Sequence, residues 1–302
     1  MKSISVIMST YNGEKHIEKQ IDSIFQQKEA LISCFIRDDG SSDQTVEIIK
    51  KLQKKYPNII LREGNNVGWE KSFLYALQES PHADYYAFSD QDDIWFCNKL
   101  INGINYLDKI SIEKPVMYHC NKITVDEQLN PFPHQIKRLP HPINRQNAIV
   151  QEFAQGCSII INNEARKLVL QSIPEKKIAH DFWAGMLCYL FGEIIYDPTP
   201  QFYHISHGSN ASGEGSIKRS WKGRLKKYFT SSTVYYAPAN ELLTCPAYKK
   251  LLNKEDIVFL QKIIYYKSNF TDKLSLLFSI KFRRASLLGT ISLKIAILFN
   301  KL

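Results

Sequence analysis

The stretch ADYYAFSDQDDIWFCNKL, Ala83 to Leu100, decides how the rest of the chain is read. Tyr85 to Ser89 is a run of aromatic and apolar residues bounded by polar ones, the pattern of a short buried strand. It empties into Asp90, Gln91, Asp92 and Asp93, which places three carboxylates within four residues. Carboxylates so close repel one another unless a cation is near. At the carboxyl end of a strand in an α/β sheet, a hard metal ion holding phosphate oxygens explains such a cluster. A solvated acidic turn explains it equally well from these four residues alone.

Upstream, one pattern repeats. Ile4 to Ser9 reads as a strand, followed by a polar turn and a helix from about Glu14 to Gln26 with Ile17, Ile21, Ile24 and Phe25 on its buried stripe. Cys34 to Arg37 is the next strand, ending in Asp38-Asp39-Gly40-Ser41-Ser42-Asp43, and Val46, Ile49 and Leu52 mark a second helix. Ile59 to Arg62 is the third strand, ahead of Gly64 to Gly68 and a helix through Phe73, Leu74 and Leu77. This alternation predicts a parallel sheet with right-handed crossovers, whose ligands bind beyond the carboxyl ends of the strands. The polar turns Thr10–Gly13, Asp38–Asp43, Asn65–Gly68 and Asp90–Asp93 therefore gather at one edge. No GxGxxG or GxxxxGK[ST] pattern follows the first strand, which argues against a dinucleotide site or an ATPase loop.

Downstream, the spacing predicts a helix through Leu100, Ile104 and Leu107, with Asp93 as its cap, and a strand Val116 to Cys120. Four prolines between Pro131 and Pro142 mark an irregular stretch. Gly156 to Asn162 reads as a strand, with Asn162 or Asn163 capping the next helix. His180-Asp181-Phe182-Trp183 opens an amphipathic run that stops at Gly192. A short strand, Ile194 to Tyr196, leads into a loop-like segment containing His204 and His207, whose spacing is a weak zinc signal. The domain edge is placed after Gly215, giving a front domain of residues 1–215 and a helical region of residues 216–302.

The chain has 302 residues, 44% of them hydrophobic and 23% charged, the composition of a folded protein. Its six cysteines are scattered without a CxxC, which points to reduced thiols in a cytosolic protein. No signal peptide is read at the start, where Ile4 to Met8 is strand-like. The net charge of +9 is uneven: residues 216–302 carry 17 Lys and Arg against 4 Asp and Glu, while the rest carries 22 against 26.

The ordered set STYNG, RDDGSSD, NVGWEKSF and SDQDDIWFCNKL resembles the family 2 glycosyltransferases of the GT-A fold. GCSIIIN, HDFW and HGSN extend the similarity toward bacterial rhamnosyltransferase-like members, over roughly the first two thirds of the chain. The resemblance implies an α/β GT-A domain that transfers a sugar from a nucleotide diphosphate, dTDP- or UDP-linked, to a lipid-linked or oligosaccharide acceptor. It implies that Asp92, with Asp90 and His207, contacts a Mn²⁺ or Mg²⁺ ion, and that Thr10, Tyr11, Asn12, Asp39, Gly68, Lys71, Asp90 and Gln91 line the donor site. Asp39 would bond the pyrimidine base and Tyr11 stack on it. Asp181 is the candidate general base of an inverting transfer, with Gly156, Cys157, His180 and Trp183 on the acceptor side. Each has an ordinary alternative: Asp39 a turn former, Asp181 a helix cap, Lys71 a solvated lysine, His180 a structural histidine. A non-catalytic sugar-nucleotide-binding or scaffold protein of the same fold is the other reading. An acidic pocket of the receiver-domain kind at Asp38-Asp39 fits the four-turn edge poorly.

In the basic tail, Lys218 to Phe229 and the apolar runs after Leu274 interleave basic and bulky apolar residues, with no run long enough to span a bilayer. That pattern suits helices lying on an anionic membrane surface, on the inner face of the cell membrane. Packing on the front domain or on a second subunit in a homo-oligomer is the alternative. Nucleic acid is disfavoured, since no reading motif accompanies the charge.

Overall fold

A computed structural model describes residues 1–110, 113–135, 139–206 and 235–302. The front is built from β1 (Ser3–Thr10), α1 (Ile17–Phe25), β2 (Leu31–Asp38), α2 (Thr45–Lys55), β3 (Ile59–Glu63), α3 (Trp69–Glu79) and β4 (Tyr85–Ser89). Ile4, Val6 and Met8 alternate with Ile7 on the two faces of β1, and all four are fully buried, so the central strand needs helices on both sides. β1 pairs in parallel with β2 on one side and with β4 on the other. The chain therefore winds outward through β2 and β3, then returns to the far side of β1. That reversal opens a crevice beyond the ends of β1 and β4, where a doubly wound sheet binds its ligand. Thr10 and Ser89 are the last residues of those strands, so the Tyr11 loop and the acidic loop both open into the crevice.

The second half is mixed. It contains β5 (Asp93–Trp95), α4 (Lys99–Leu107), β6 (Val116–Val125), α5 (Arg145–Ala148), a 3₁₀ turn at Gly156–Ser158, β7 (Ile159–Asn162), α6 (Asn163–Val169), α7 (His180–Phe191) and β8 (Glu193–Ile205). The eight strands lie in the order β3-β2-β1-β4-β7-β6-β8-β5. β7 runs antiparallel to both β4 and β6. Asn162 closes β7 and caps α6, its side-chain oxygen accepting from the Ala165 amide at 2.9 Å.

Two expectations are corrected here. Asp93 does not cap a helix: the chain turns at Gln91-Asp92, and Asp93–Trp95 pairs antiparallel with Phe202–His204. α4 begins only at Lys99. The segment around His204 is likewise no loop but the end of the 13-residue strand β8, in which register shifts against β6 between Cys120 and Ile123 accommodate Pro198 and Pro200.

The C-terminal elements are α8 (Tyr236–Thr244), α9 (Pro246–Leu251), α10 (Lys254–Tyr265), α11 (Phe270–Phe278) and α12 (Leu287–Leu298). Their inner faces join the same apolar cluster as α3, α6 and α7, with Tyr248, Leu260, Ile263 and Leu293 buried beside Trp183 and Leu187. Tyr248 sits edge-on to Trp183 with ring centroids 5.6 Å apart, and its hydroxyl donates to the Leu168 carbonyl at 2.9 Å. Arg145 pairs with Asp256 through Nη2 at 2.6 Å, tying α5 to α10. Trp183, expected on the acceptor side, is thus a fully buried core residue of this junction. No helix among the described residues is long and apolar enough to cross a membrane. The Gly215 boundary, His207 and the basic run Lys218–Phe229 lie outside the described residues.

Candidate active site

The crevice is walled by three loops that brace one another. At the end of β1, the Thr10 hydroxyl donates to Asp38 at 2.8 Å. Asp38 also accepts from the Ser41 hydroxyl at 2.6 Å and the Ser41 amide at 2.8 Å, so it is a turn former. Asn12 adopts φ +49°, a left-handed conformation that asparagine tolerates. Its side-chain oxygen accepts from the Ser42 amide at 2.8 Å, joining the first loop to the second. Tyr11 is left half exposed at the mouth, with 50% of its surface open.

Arg37, buried at the end of β2, was not read from the sequence as a site residue. Its Nη1 donates to Asp39 Oδ1 at 2.5 Å and to the Ser72 hydroxyl at 2.9 Å, and its Nη2 to the Asn65 carbonyl at 3.1 Å. Asp39 accepts in addition from the amides of Val67 at 3.0 Å and Gly68 at 2.9 Å. The residue expected to meet the base therefore also fastens the third loop. Gly68 is needed where it stands, because its φ is +87°. Lys71 stands in the first turn of α3, directly after that loop.

Gln91, the middle residue of Asp90-Gln91-Asp92, turns its side chain to Tyr11. Its Oε1 accepts from the Tyr11 amide at 2.9 Å and its Nε2 donates to the Tyr11 carbonyl at 3.1 Å. A Cβ on Gly13 would lie 2.4 Å from that Oε1, so glycine there makes room for the clamp.

The acidic cluster is fed from a distant helix as well. Asp181 lies in the first turn of α7, where Oδ1 accepts from the Phe182 amide at 2.7 Å and Oδ2 from the Gly156 amide at 3.2 Å. Burial and the neighbouring carboxylates of Asp93, Asp92 and Asp181 push Asp90 well above the ordinary carboxylate range. Asp92, Asp93 and Asp181 thus all lie near enough to Asp90 for their charges to act on it. The Cys157 thiol lies beside Asp90 and Asp93, and burial with those two charges raises it well above the usual thiol range, so it is a protonated thiol. Cys157 is fully buried beneath the cluster.

Asp93 itself faces inward. Its Oδ1 pairs with His204 Nδ1 at 2.8 Å, both side chains being almost wholly buried. Asp93, Cys157 and His204 are the one group among the described residues whose potential ligand atoms all lie within 4.8 Å. Sequence reading weighed His204 only as half of a weak zinc pair and missed this contact. Lys99 lies beneath, fully buried, with Nζ 3.7 Å from the Trp95 ring centroid. Burial lowers its pKa.

His180 is corrected to a core histidine. Its ring stacks on Phe73 with centroids 3.8 Å apart and meets Phe88 edgewise at 4.9 Å. Burial pushes its pKa down to about 3, so it is neutral. A Cβ on Gly156 would lie 2.5 Å from His180 Nε2, so this glycine admits the histidine ring and leaves its own amide for Asp181.

A sheet with this strand reversal, an Asp-x-Asp loop at the switch point and an aspartate supplied from a later helix define a GT-A transferase scaffold. The chain belongs to glycosyl transferase family 2, whose sequence model matches residues 5–167. It is 45% identical over 231 residues to the dTDP-rhamnosyl transferase RfbG of Shigella flexneri, covering 71% of this chain and 77% of that one. An uncharacterized glycosyltransferase of a Nostoc species is 33% identical over 68% of this chain and 66% of its own length. Among solved structures, Staphylococcus aureus TarS 1–349 with UDP-GlcNAc superposes over 93% of this chain and 78% of its own, with TM-score 0.61 and 19% identity. The mannosyltransferase PcManGT of Pyrobaculum calidifontis, solved with GDP-Man and Mn²⁺, covers 99% of this chain and 86% of its own, with TM-score 0.55 and 15% identity. At these identities the solved structures share the fold. The protein is a rhamnosyltransferase-like glycosyltransferase.

Proposed function

We propose that this enzyme moves a deoxyhexose, rhamnose by class, from a dTDP or UDP donor to a lipid-linked glycan during cell-surface polysaccharide assembly, with inversion and with a divalent metal. The observation that carries the reading is that Asp181, from the start of α7 and bonded to the Gly156 amide, acts electrostatically on Asp90 of the Asp-x-Asp loop. One carboxylate set serves the departing diphosphate and the other the incoming hydroxyl.

The donor set suits a hard cation. Its partly exposed members are carboxylates, the oxygen ligands that Mg²⁺ or Mn²⁺ take. Asp90 and Asp92 would hold the ion, with His207 as a further ligand, and it would neutralise the diphosphate leaving group. Tyr11 offers its exposed face for stacking on the base. Asp39 spends three acceptor sites on Arg37, Val67 and Gly68, leaving one of a carboxylate's roughly four for a pyrimidine imide N–H. Lys71 and the Gly68 loop face the diphosphate. In the transfer, the acceptor oxygen bonds to the anomeric carbon as the bond from that carbon to the diphosphate oxygen breaks, and the hydroxyl proton passes to Asp181. The rhamnose assignment is supported by the 45% identical dTDP-rhamnosyl transferase.

The test is a panel of dTDP- and UDP-sugars with Mg²⁺, Mn²⁺ or chelator, followed by calorimetry for binding and by product analysis for turnover and anomeric configuration. One donor should be turned over with inversion only when the metal is present. Asp181→Asn should lower kcat by about 10²–10⁴-fold while donor affinity holds. Donor binding without turnover under any condition would favour the non-catalytic reading, and no binding of any pyrimidine nucleotide would overturn the donor assignment.

A further inference from the structure

Nine of the twenty exposed large apolar side chains among the described residues fall between Phe270 and Phe299. They are ordered, not scattered. On α11, Phe270, Leu274 and Phe278 recur every four residues along one outward stripe. On α12, Leu287, Leu288, Ile291 and Leu298 follow the same helical spacing on its outer side. Between the helices, Ile280 is 86% exposed while Phe282 is fully buried against Phe259, with ring centroids 5.1 Å apart. Anchoring Phe282 turns Ile280, Lys281 and Arg283 to the outside.

The two helices are locked into one platform. Lys294 of α12 donates to the Leu276 carbonyl at 2.7 Å and the Ser279 carbonyl at 2.9 Å, closing the end of α11. The connecting loop is fixed to α5 and the residue before it, because Asn144 Nδ2 donates to the Lys281 carbonyl at 3.1 Å and Asn147 Nδ2 to the Arg283 carbonyl at 2.7 Å. Its apolar surface is therefore held open by packing and is not the product of a loose terminus.

We propose that the outer faces of α11 and α12, with Ile280, Lys281 and Arg283 at their junction, form a docking surface for an anionic lipid bilayer. Apart from Lys294, which is turned onto α11, residues 267–302 carry six Lys and Arg against one Asp, so bulky apolar side chains are set among basic ones. Apolar groups at the depth of the acyl chains and basic groups at the headgroups is the arrangement of an interfacial helix. At 9 and 12 residues, the helices are too short to span and lie along the surface. A second copy of the chain on the same face would oppose two basic patches across the contact, whereas anionic headgroups neutralise one. For a transferase acting on a lipid-carried glycan, such docking holds the crevice near its acceptor. That purpose rests on the proposed function; the docking does not.

The experiment is co-sedimentation of the full-length chain with vesicles of phosphatidylcholine alone or mixed with phosphatidylglycerol, without donor or acceptor. Wild type should pellet with the anionic vesicles and much less with the neutral ones. Phe278→Ser with Ile280→Ser should abolish pelleting, and Lys281→Gln with Arg283→Gln should weaken anionic binding by about tenfold or more. All four side chains are exposed, so the thermal midpoint should hold in both variants and reports that they fold. Failure of wild type to pellet, or variants that pellet as wild type does, would overturn the proposal. Light scattering that shows a dimer lost in Phe278→Ser with Ile280→Ser would assign the face to a second copy instead. A negative result leaves donor turnover untouched, so it is separable from failure of the transferase reading.

Discussion

The side-chain amide of Gln91 pairs with both the amide and the carbonyl of Tyr11, as a neighbouring strand would. The middle residue of the Asp-x-Asp loop thereby holds the loop that carries the exposed aromatic ring. Gln91→Ala removes two hydrogen bonds of about 1 kcal/mol each, so kcat/KM for the donor should fall by roughly 30-fold. The loss should appear mainly in KM, because the loop is loosened while the carboxylates stay. A fall confined to kcat would contradict this role.

His204 holds Asp93 in the floor of the site. Removing the imidazole leaves a buried carboxylate without that hydrogen bond, which costs about 1–3 kcal/mol. His204→Leu should accordingly lower the urea midpoint sharply, and Asp93→Asn in the same background should recover part of the loss by removing the stranded charge. A double variant no more stable than the single one would show that the pair contributes little through its charge.

His180 gives the fold a dependence on acid. Its folded-state pKa is pushed down to about 3 from an ordinary value of 6.5 by burial. Below pH 6.5 the unfolded chain takes up a proton that the folded chain refuses, so this group costs stability as pH falls and nothing above neutrality. The slope is about 1.4 kcal/mol per pH unit, or about 2 kcal/mol between pH 6.5 and 5. His180→Leu, compared with wild type by urea unfolding at each pH, should flatten the profile by that amount. Identical profiles in the two proteins would mean that His180 is protonated within the fold.

The strands from β1 to β4 and the four loop ends were legible because each strand is a local run of apolar residues closed by turn formers. Tyr85–Ser89 coincides with its expected bounds, and Asn162 caps the helix assigned to it. β5 was not legible: three residues after an acidic turn look like a helix entry, and only pairing with β8, more than a hundred residues later, makes them a strand. His204 was hidden for the same reason, behind Pro198 and Pro200, which read as a loop until β6 supplies a partner with shifted register. Arg37, Gln91 and Gly156 owe their roles to contacts between loops, which no spacing within one loop can show. Motif order points to the acidic loop and Asp181, but His180 and Trp183 lie in that same HDFW motif and face the core.

The charges of Asp92, Asp93 and Asp181 oppose ionisation of Asp90 in the folded state. A divalent cation that relieves this opposition binds the folded chain and not the unfolded one, so it must raise stability by mass action. At a concentration of about 100 times its Kd, Mn²⁺ or Mg²⁺ should add about 2.7 kcal/mol, or a rise in Tm of roughly 5 °C for a chain of this size. Asp92→Ala should abolish the cation-induced rise. It should also raise the cation-free Tm, because one of the repelling charges is gone. The two effects have opposite signs and appear in one thermal scan with and without chelator. A variant that loses stability without cation and keeps the cation-induced rise would place the ion elsewhere.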